Sequence, residues 1–160
     1  LICHARADAD ATPGARVGVR DSVAPMAVTT SSADAVQLTI PLRSEYGSIL
    51  RLVAASFGAD AAFSLDDIDD LRLAVSEVFS SALQQGASAA TLTAVFNSAA
   101  SGVQVSLSVS SDGGSAGVIE LDELASAIIK ASVDRVEVDE FSVRLTKHSS
   151  ELAPATTDDD

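Results

Sequence analysis

Apolar and polar side chains alternate in VQLTIPL, where Val36, Leu38, Ile40 and Leu42 are separated by Gln37, Thr39 and Pro41. A period of two predicts a strand with one buried face, and a proline that cannot donate to a ladder predicts an edge position. The period then changes. In SEYGSILRLVAASFG, Tyr46, Ile49, Leu50, Val53 and Phe57 recur at helical spacing, which predicts an amphipathic helix stopped by Gly58. A second helix is announced by SLDD. Ser64 is placed to cap it, and Asp67, three residues on, is placed as a capping-box acid. Ile68, Leu71, Val75, Val78, Phe79 and Ala82 form its apolar stripe, and Gly86 ends it. Asp66, Asp67, Asp69 and Asp70 load the first turn, where negative charge meets the positive end of the helix dipole.

TLTAVFN and GVQVSLSVS read as two strands, the second alternating through Val103, Val105, Leu107 and Val109. The turn-like SDGGSAG leads to a third helix, Glu120 to Ser132. RVEV and FSVRLTK, separated by Asp139 and Glu140, then read as a hairpin. The order β-α-α-β-β-α-β-β predicts an α+β fold, a two-layer sandwich with a mixed, mostly antiparallel sheet and helices on one face. No internal repeat is evident.

The periodicity is confined to residues 36–148. Residues 1–35 show none and hold two of the four prolines, which predicts a flexible leader, while residues 149–160 read as an acidic flexible tail. A length of 160 residues suits one domain with such ends. Hydrophobic residues make up 47% of the chain but aromatics only 4%, so aliphatic side chains and alanine must build the core. The formal charge is −13, of which −8 falls on 36–148. Such a surface repels phosphate backbones and anionic lipid, which argues against direct nucleic-acid or membrane binding and for a basic protein partner. Cys3 stands alone, so no intramolecular disulfide can form. His4 and His148 have no metal-ligand spacing, which excludes a structural zinc site. No apolar run is long enough to span a membrane, and the first residues lack a signal peptide's apolar segment, so the expected location is cytoplasmic.

A helix layer over a sheet leaves a crevice as the default ligand site. Glu77 and Ser81, four residues apart on the second helix, share a face that the pattern places off the apolar stripe. Asp112, Gly114 and Gly117 form D-x-G-x-x-G directly after a strand, where glycines let a backbone approach a ligand and an aspartate can accept from an amine.

DDLRLAVSEVFSSAL, SDGG and IIKASVDRVEVDEFSVRLTK together resemble the anti-sigma factor serine kinases of the bacterial general stress response. These belong to the superfamily of histidine-kinase and gyrase ATPase domains (the Bergerat fold), and the resemblance covers about residues 36–147. It implies that Glu77 is the glutamate that polarises the attacking hydroxyl or water. Ser81 falls where the family has a magnesium-binding asparagine, and Asp112 and Gly114 match its adenine-binding aspartate and following glycine. With Gly117, these would be the contacts to ATP and Mg2+. The chain also departs from the family. A serine is a shorter metal ligand than asparagine. Only SAGVI separates Gly114 from Glu120, without the family's longer lid and without a nearby lysine or arginine for the phosphates. The resemblance therefore implies an anti-sigma factor that sequesters a sigma factor and carries a degenerate ATP site, a homodimer released by an anti-anti-sigma factor. The alternative is a working serine/threonine kinase that phosphorylates that antagonist.

Overall fold

Thr91 to Ala99 and Gly102 to Ser110 form two neighbouring interior strands because Leu92, Ala94 and Phe96, and then Val103, Val105, Leu107 and Val109, alternate with mostly polar residues. The computed structural model describes residues 35–86, 89–99, 102–111 and 114–150. Their elements are β1 (Val36–Pro41), α1 (Gly47–Asp60) after a single 3-10 turn, α2 (Leu65–Gln85), β2 (Thr91–Ala99), β3 (Gly102–Ser110), the two-residue β4 (Ala116–Gly117), α3 (Glu123–Ser132), β5 (Arg135–Asp139) and β6 (Ser142–His148). The sheet runs β1-β2-β3-β6-β5, with β4 paired to β3, and these pairings are all antiparallel. Pro41 does lie on an edge strand, as its missing N–H requires.

One sheet face carries Leu92, Ala94 and Phe96 of β2, Val105 and Leu107 of β3, and Val143 and Leu145 of β6, all fully buried. The helices cover that face with Leu50 and Ala54 of α1, Leu71, Ala74, Val75 and Val78 of α2, and Ile129 of α3. The Phe57 ring stacks on that of Phe96 at 5.2 Å between centroids, joining α1 to the sheet. Burying each valine, leucine, isoleucine or phenylalanine among them contributes about 1.5–3 kcal/mol, which is how an aromatic-poor chain assembles a core.

Two boundaries and one helix cap differ from the expectation, for reasons of packing and of capping. Gly58 does not stop α1. It lies buried inside the helix, where a Cβ would sit 3.0 Å from Ile68 Cγ1, so its absence lets α1 and α2 approach. The stop comes four residues later. The Phe63 N–H donates to the Gly58 carbonyl and the Ala62 N–H to the Ala59 carbonyl, a Schellman closure with Ala62 at φ +55°. Gly47, Leu50, Ala54 and Gly58 are the buried face of α1, while Ile49 is exposed. Gly86 follows α2 in extended backbone rather than a left-handed cap, and a Cβ there would meet Leu42 Cδ2 at 2.6 Å. The third helix starts at Glu123 rather than Glu120 because the Asp122 side chain caps it, accepting from the Ala125 N–H at 2.7 Å.

The start of α2 is tied to the end of β6 by a buried ionic cluster. Ser64 Oγ accepts the Asp67 N–H at 3.1 Å and donates to Asp67 Oδ2 at 2.8 Å. Ser150 donates its hydroxyl (2.6 Å) and its N–H (3.1 Å) to the same oxygen. Lys147 Nζ lies 3.3 Å from Asp67 Oδ1 and 2.9 Å from Asp70 Oδ2. Burial by itself would push the Asp67 carboxyl up, but the donors from Ser150, Ser64 and Lys147 overcome it and hold the group well below the usual carboxylate range. Apart from residue 35 and residues 149–150, the expected leader and tail lie outside the described residues.

Candidate functional site

The last two turns of α2 face the segment that leads from β4 into α3. That segment is held close because Val109 and Ser110 of β3 pair with Gly117 and Ala116. A Cβ on Gly117 would come 3.1 Å from Val109 Cγ1, so glycine permits this close pairing. The turn before it is closed by two bonds, from the Gly114 N–H to the Ser111 carbonyl and from the Ser111 N–H to the Ser115 carbonyl. Gly114 sits at φ +82°, a conformation glycine reaches without steric cost.

The crevice between these elements has two compartments. The polar one, about 360 Å³, is lined by Ser81, Gln84, Gln85, Glu120, Leu121 and Asp122. The smaller one, about 190 Å³, has a mainly apolar wall that includes Ala82, Gly86, Ala90, Val109 and Gly117 together with Ser111. Gln85 lines both.

Ser81 is therefore in the crevice wall, though not where the pattern placed it. It is buried rather than lying off the stripe, and it shares the wall of the polar compartment with Leu121 and Asp122, which lead into α3. Gly117 lines the apolar compartment, and Gly114 shapes the preceding turn without lining either compartment. Glu77 is half-buried one helical turn before Ser81, with no side-chain hydrogen bond or ion pair among the described residues, and is not part of either lining. Asp112 lies outside the described residues. Sequence reasoning missed Gln85. Its signal was spacing: Glu77, Ser81 and Gln85 recur at i, i+4 and i+8 along one helix face.

Gln85 bridges the crevice. Its Oε1 accepts the Glu120 N–H at 2.8 Å, and its Nε2 donates to the Glu120 carbonyl. A backbone N–H can only donate and a carbonyl only accept, so the two bonds fix which way the carboxamide points.

The donor sets can be weighed against a nucleotide and a metal ion. A flat base suits a small apolar compartment with backbone groups at its rim. The polar compartment suits a triphosphate poorly. Its ionisable lining groups among the described residues are Glu120 and Asp122, both acidic, with no lysine or arginine in that lining. Ser81 offers one short oxygen ligand, and no group of three His, Cys, Asp or Glu among the described residues could hold a metal. The arrangement fits a base better than it fits the phosphates or their cation.

A separate groove of about 430 Å³ lies on the outer side of α1 and α2, lined by Ser48, Ile49, Arg51, Leu52, Ala55 and Arg72. It contains none of the site residues expected from the sequence. No described helix is long and apolar enough to cross a membrane.

No family model matches the chain. It is 38% identical over 53 residues to the serine-protein kinase RsbW of Bacillus licheniformis, a stretch that is 33% of each chain. To the serine-protein kinase RsbW of Bacillus subtilis it is 33% identical over 54 residues, 34% of each. The matched stretch thus spans about a third of these curated relatives. The solved RsbU and RsbW domains of a Mycobacterium tuberculosis protein align with a TM-score of 0.50 at 17% identity, covering 71% of this chain and 32% of that one. That likeness shows the fold: the two-layer sandwich is of the histidine-kinase-like ATPase type.

Proposed function

We propose that this chain, a divergent relative of the RsbW serine-protein kinases, acts as an anti-sigma factor whose ATP site has decayed. It binds and sequesters a sigma factor of RNA polymerase and is released by an anti-anti-sigma factor that competes for it. A homodimer is the proposed assembly. The acidic surface supports the reading, since a sigma factor carries basic surfaces for DNA and opposite charge steers the encounter.

The observation that carries the decayed site is the polar compartment, where two carboxylates and a serine stand in place of cationic phosphate contacts. Phosphoryl transfer depends mainly on positioning and on neutralising charge at the transferring group. With that neutralisation missing, nucleotide binding is weak and rests on the apolar compartment. One observation favours the alternative of a working kinase. Glu77 keeps its place one turn from Ser81, half-buried and free of competing ion pairs among the described residues.

Two experiments decide. A pull-down of purified sigma subunits with the full chain is expected to retain one of them, and failure with every sigma subunit of the source cell refutes sequestration. Calorimetric titration with magnesium-ATP, followed by incubation with labelled ATP and a candidate anti-anti-sigma substrate, is expected to give weak heat and no transfer. Efficient transfer that disappears in Glu77→Ala would establish the kinase instead.

A further inference from the structure

We propose that the polar compartment is a receptor for one guanidinium group, the side chain of an arginine carried by a basic protein segment. The assignment rests on the reading of the chain as a binder of a basic partner and gives that partner a point of entry. It needs no nucleotide in the crevice.

Ser81 points to a ligand. Ser76 and Ser132, also helical, turn back and donate to the carbonyls of Arg72 and Ile128 at 2.7 and 2.9 Å. Ser81 is only 7% exposed, yet its hydroxyl bonds to no described residue. Among the described residues no buried side-chain oxygen is both sealed from solvent and unpaired, so the Ser81 hydroxyl reaches open space, and the wall it occupies is that of the polar compartment.

The rest of the lining selects the ligand. Glu120 makes no side-chain hydrogen bond or ion pair among the described residues, and Asp122 commits Oδ1 to the cap of α3 but leaves Oδ2. Gln84 adds a carboxamide and Leu121 an apolar surface. Two carboxylates and a hydroxyl suit a cation, but they are too few for a metal ion, and no group of three metal-ligating side chains occurs among the described residues. A guanidinium fits. Its five N–H donors form a planar fork that matches carboxylates, and its weakly hydrated face can lie on an aliphatic side chain. A volume of about 360 Å³ is at the small end of ligand pockets and suits a single side chain. The net charge of −13 attracts the neighbouring charges of a basic segment as well, which favours a protein-borne arginine over a free guanidinium compound.

The test uses the full chain and three probes: an acetylated, amidated Gly-Gly-Arg-Gly-Gly peptide, the same peptide with neutral citrulline in place of arginine, and agmatine as a free guanidinium. Binding is followed by amide chemical shifts in nuclear magnetic resonance titrations. Exposed ion pairs contribute about 1.5- to fivefold each in affinity, and citrulline loses two of them together, so the arginine peptide should bind about tenfold more tightly. Its shifts should centre on Ser81, Glu120 and Asp122. Glu120→Gln should weaken it by about 1.5- to fivefold. Ser81→Ala should also weaken it while leaving the urea midpoint unchanged, because that hydroxyl has no bond within the described protein to lose. The receptor is overturned if citrulline binds equally well, if the shifts centre elsewhere, if neither variant alters the Kd, or if no peptide binds. Agmatine binding as tightly as the arginine peptide overturns the protein-borne source. A sigma subunit retained in the pull-down without arginine-specific binding overturns the receptor and leaves sequestration standing. Arginine-specific binding by a chain that retains no sigma subunit does the reverse.

Discussion

Replacing Asp67 by asparagine would test the cluster that fastens α2 to the end of β6. The change keeps the shape of the side chain and removes its charge. Lys147, with its side chain only 11% exposed, loses the carboxylate at 3.3 Å but keeps Asp70 at 2.9 Å. The Ser150 hydroxyl and N–H and the Ser64 hydroxyl lose a charged acceptor. Hydrogen bonds to a charged group contribute about 1.5–3 kcal/mol each and do not add fully, while stripping a buried ion of its partner costs about 3–5 kcal/mol. Because Asp70 still serves Lys147, we expect a loss below that range, about 2–3 kcal/mol. Urea unfolding at pH 7 should show it as a fall in midpoint of about 1–2 M at unchanged slope.

The pH dependence has a definite sign. The Asp67 carboxyl is held below its unfolded value, so its stabilisation is complete above about pH 5 and is lost as pH falls below the ordinary carboxylate range of about 4. The Asp67→Asn variant lacks that component, so its stability should fall less steeply between about pH 5 and pH 2. A loss under about 1 kcal/mol at pH 7, or an acid slope identical to the parent's, would refute the assignment of Asp67 as a buried, charge-stabilised tie.

Other substitutions probe other parts of the argument. Ala62→Gly should stabilise the domain by about 0.5–1 kcal/mol in thermal or urea unfolding, because an L-residue at φ +55° carries about 1–2 kcal/mol of strain and glycine returns part of that as lost chain entropy. Gly102→Ala should destabilise by about 2 kcal/mol or more, since the new Cβ would collide with the Lys147 carbonyl oxygen, a backbone atom that cannot swing aside. Phe96→Ala removes a fully buried ring stacked on Phe57 and should cost about 3–5 kcal/mol, read from the urea midpoint. Lys147 is held above its ordinary range because the carboxylates of Asp70 and Asp67 outweigh its burial. Its stabilisation should therefore persist to about pH 10 and be lost as pH rises further, a loss that Lys147→Met would abolish.

Much of the architecture was legible in the chain because side-chain periodicity is a local property. Alternation in GVQVSLSVS marked β3 to its ends, and the stripe from Ile68 to Ala82 marked the buried face of α2. The hairpin Arg135–His148 and the edge position of Pro41 followed from the same kind of signal. The site was legible only in part. Spacing put Glu77 and Ser81 on one face, but the burial of Ser81, and its place in a wall with Leu121 and Asp122 about forty residues away in the chain, came only with the tertiary structure.

Sequence alone therefore determined the order of strands and helices, the acidic balance and the family likeness, each of which depends on neighbouring residues or on summed charge. Tertiary structure decided what distance in the chain conceals. Gly58 is a helix-packing glycine because Ile68 lies against it, and Asp67 is a buried ion rather than one more first-turn acid because Lys147 and Ser150 return to it from the far end of the domain. Gln85, unremarked in a run of polar residues, bridges a crevice because the backbone at Glu120 is brought opposite it. In each case the deciding partner lies beyond the local pattern, which carries no information about which distant group will arrive.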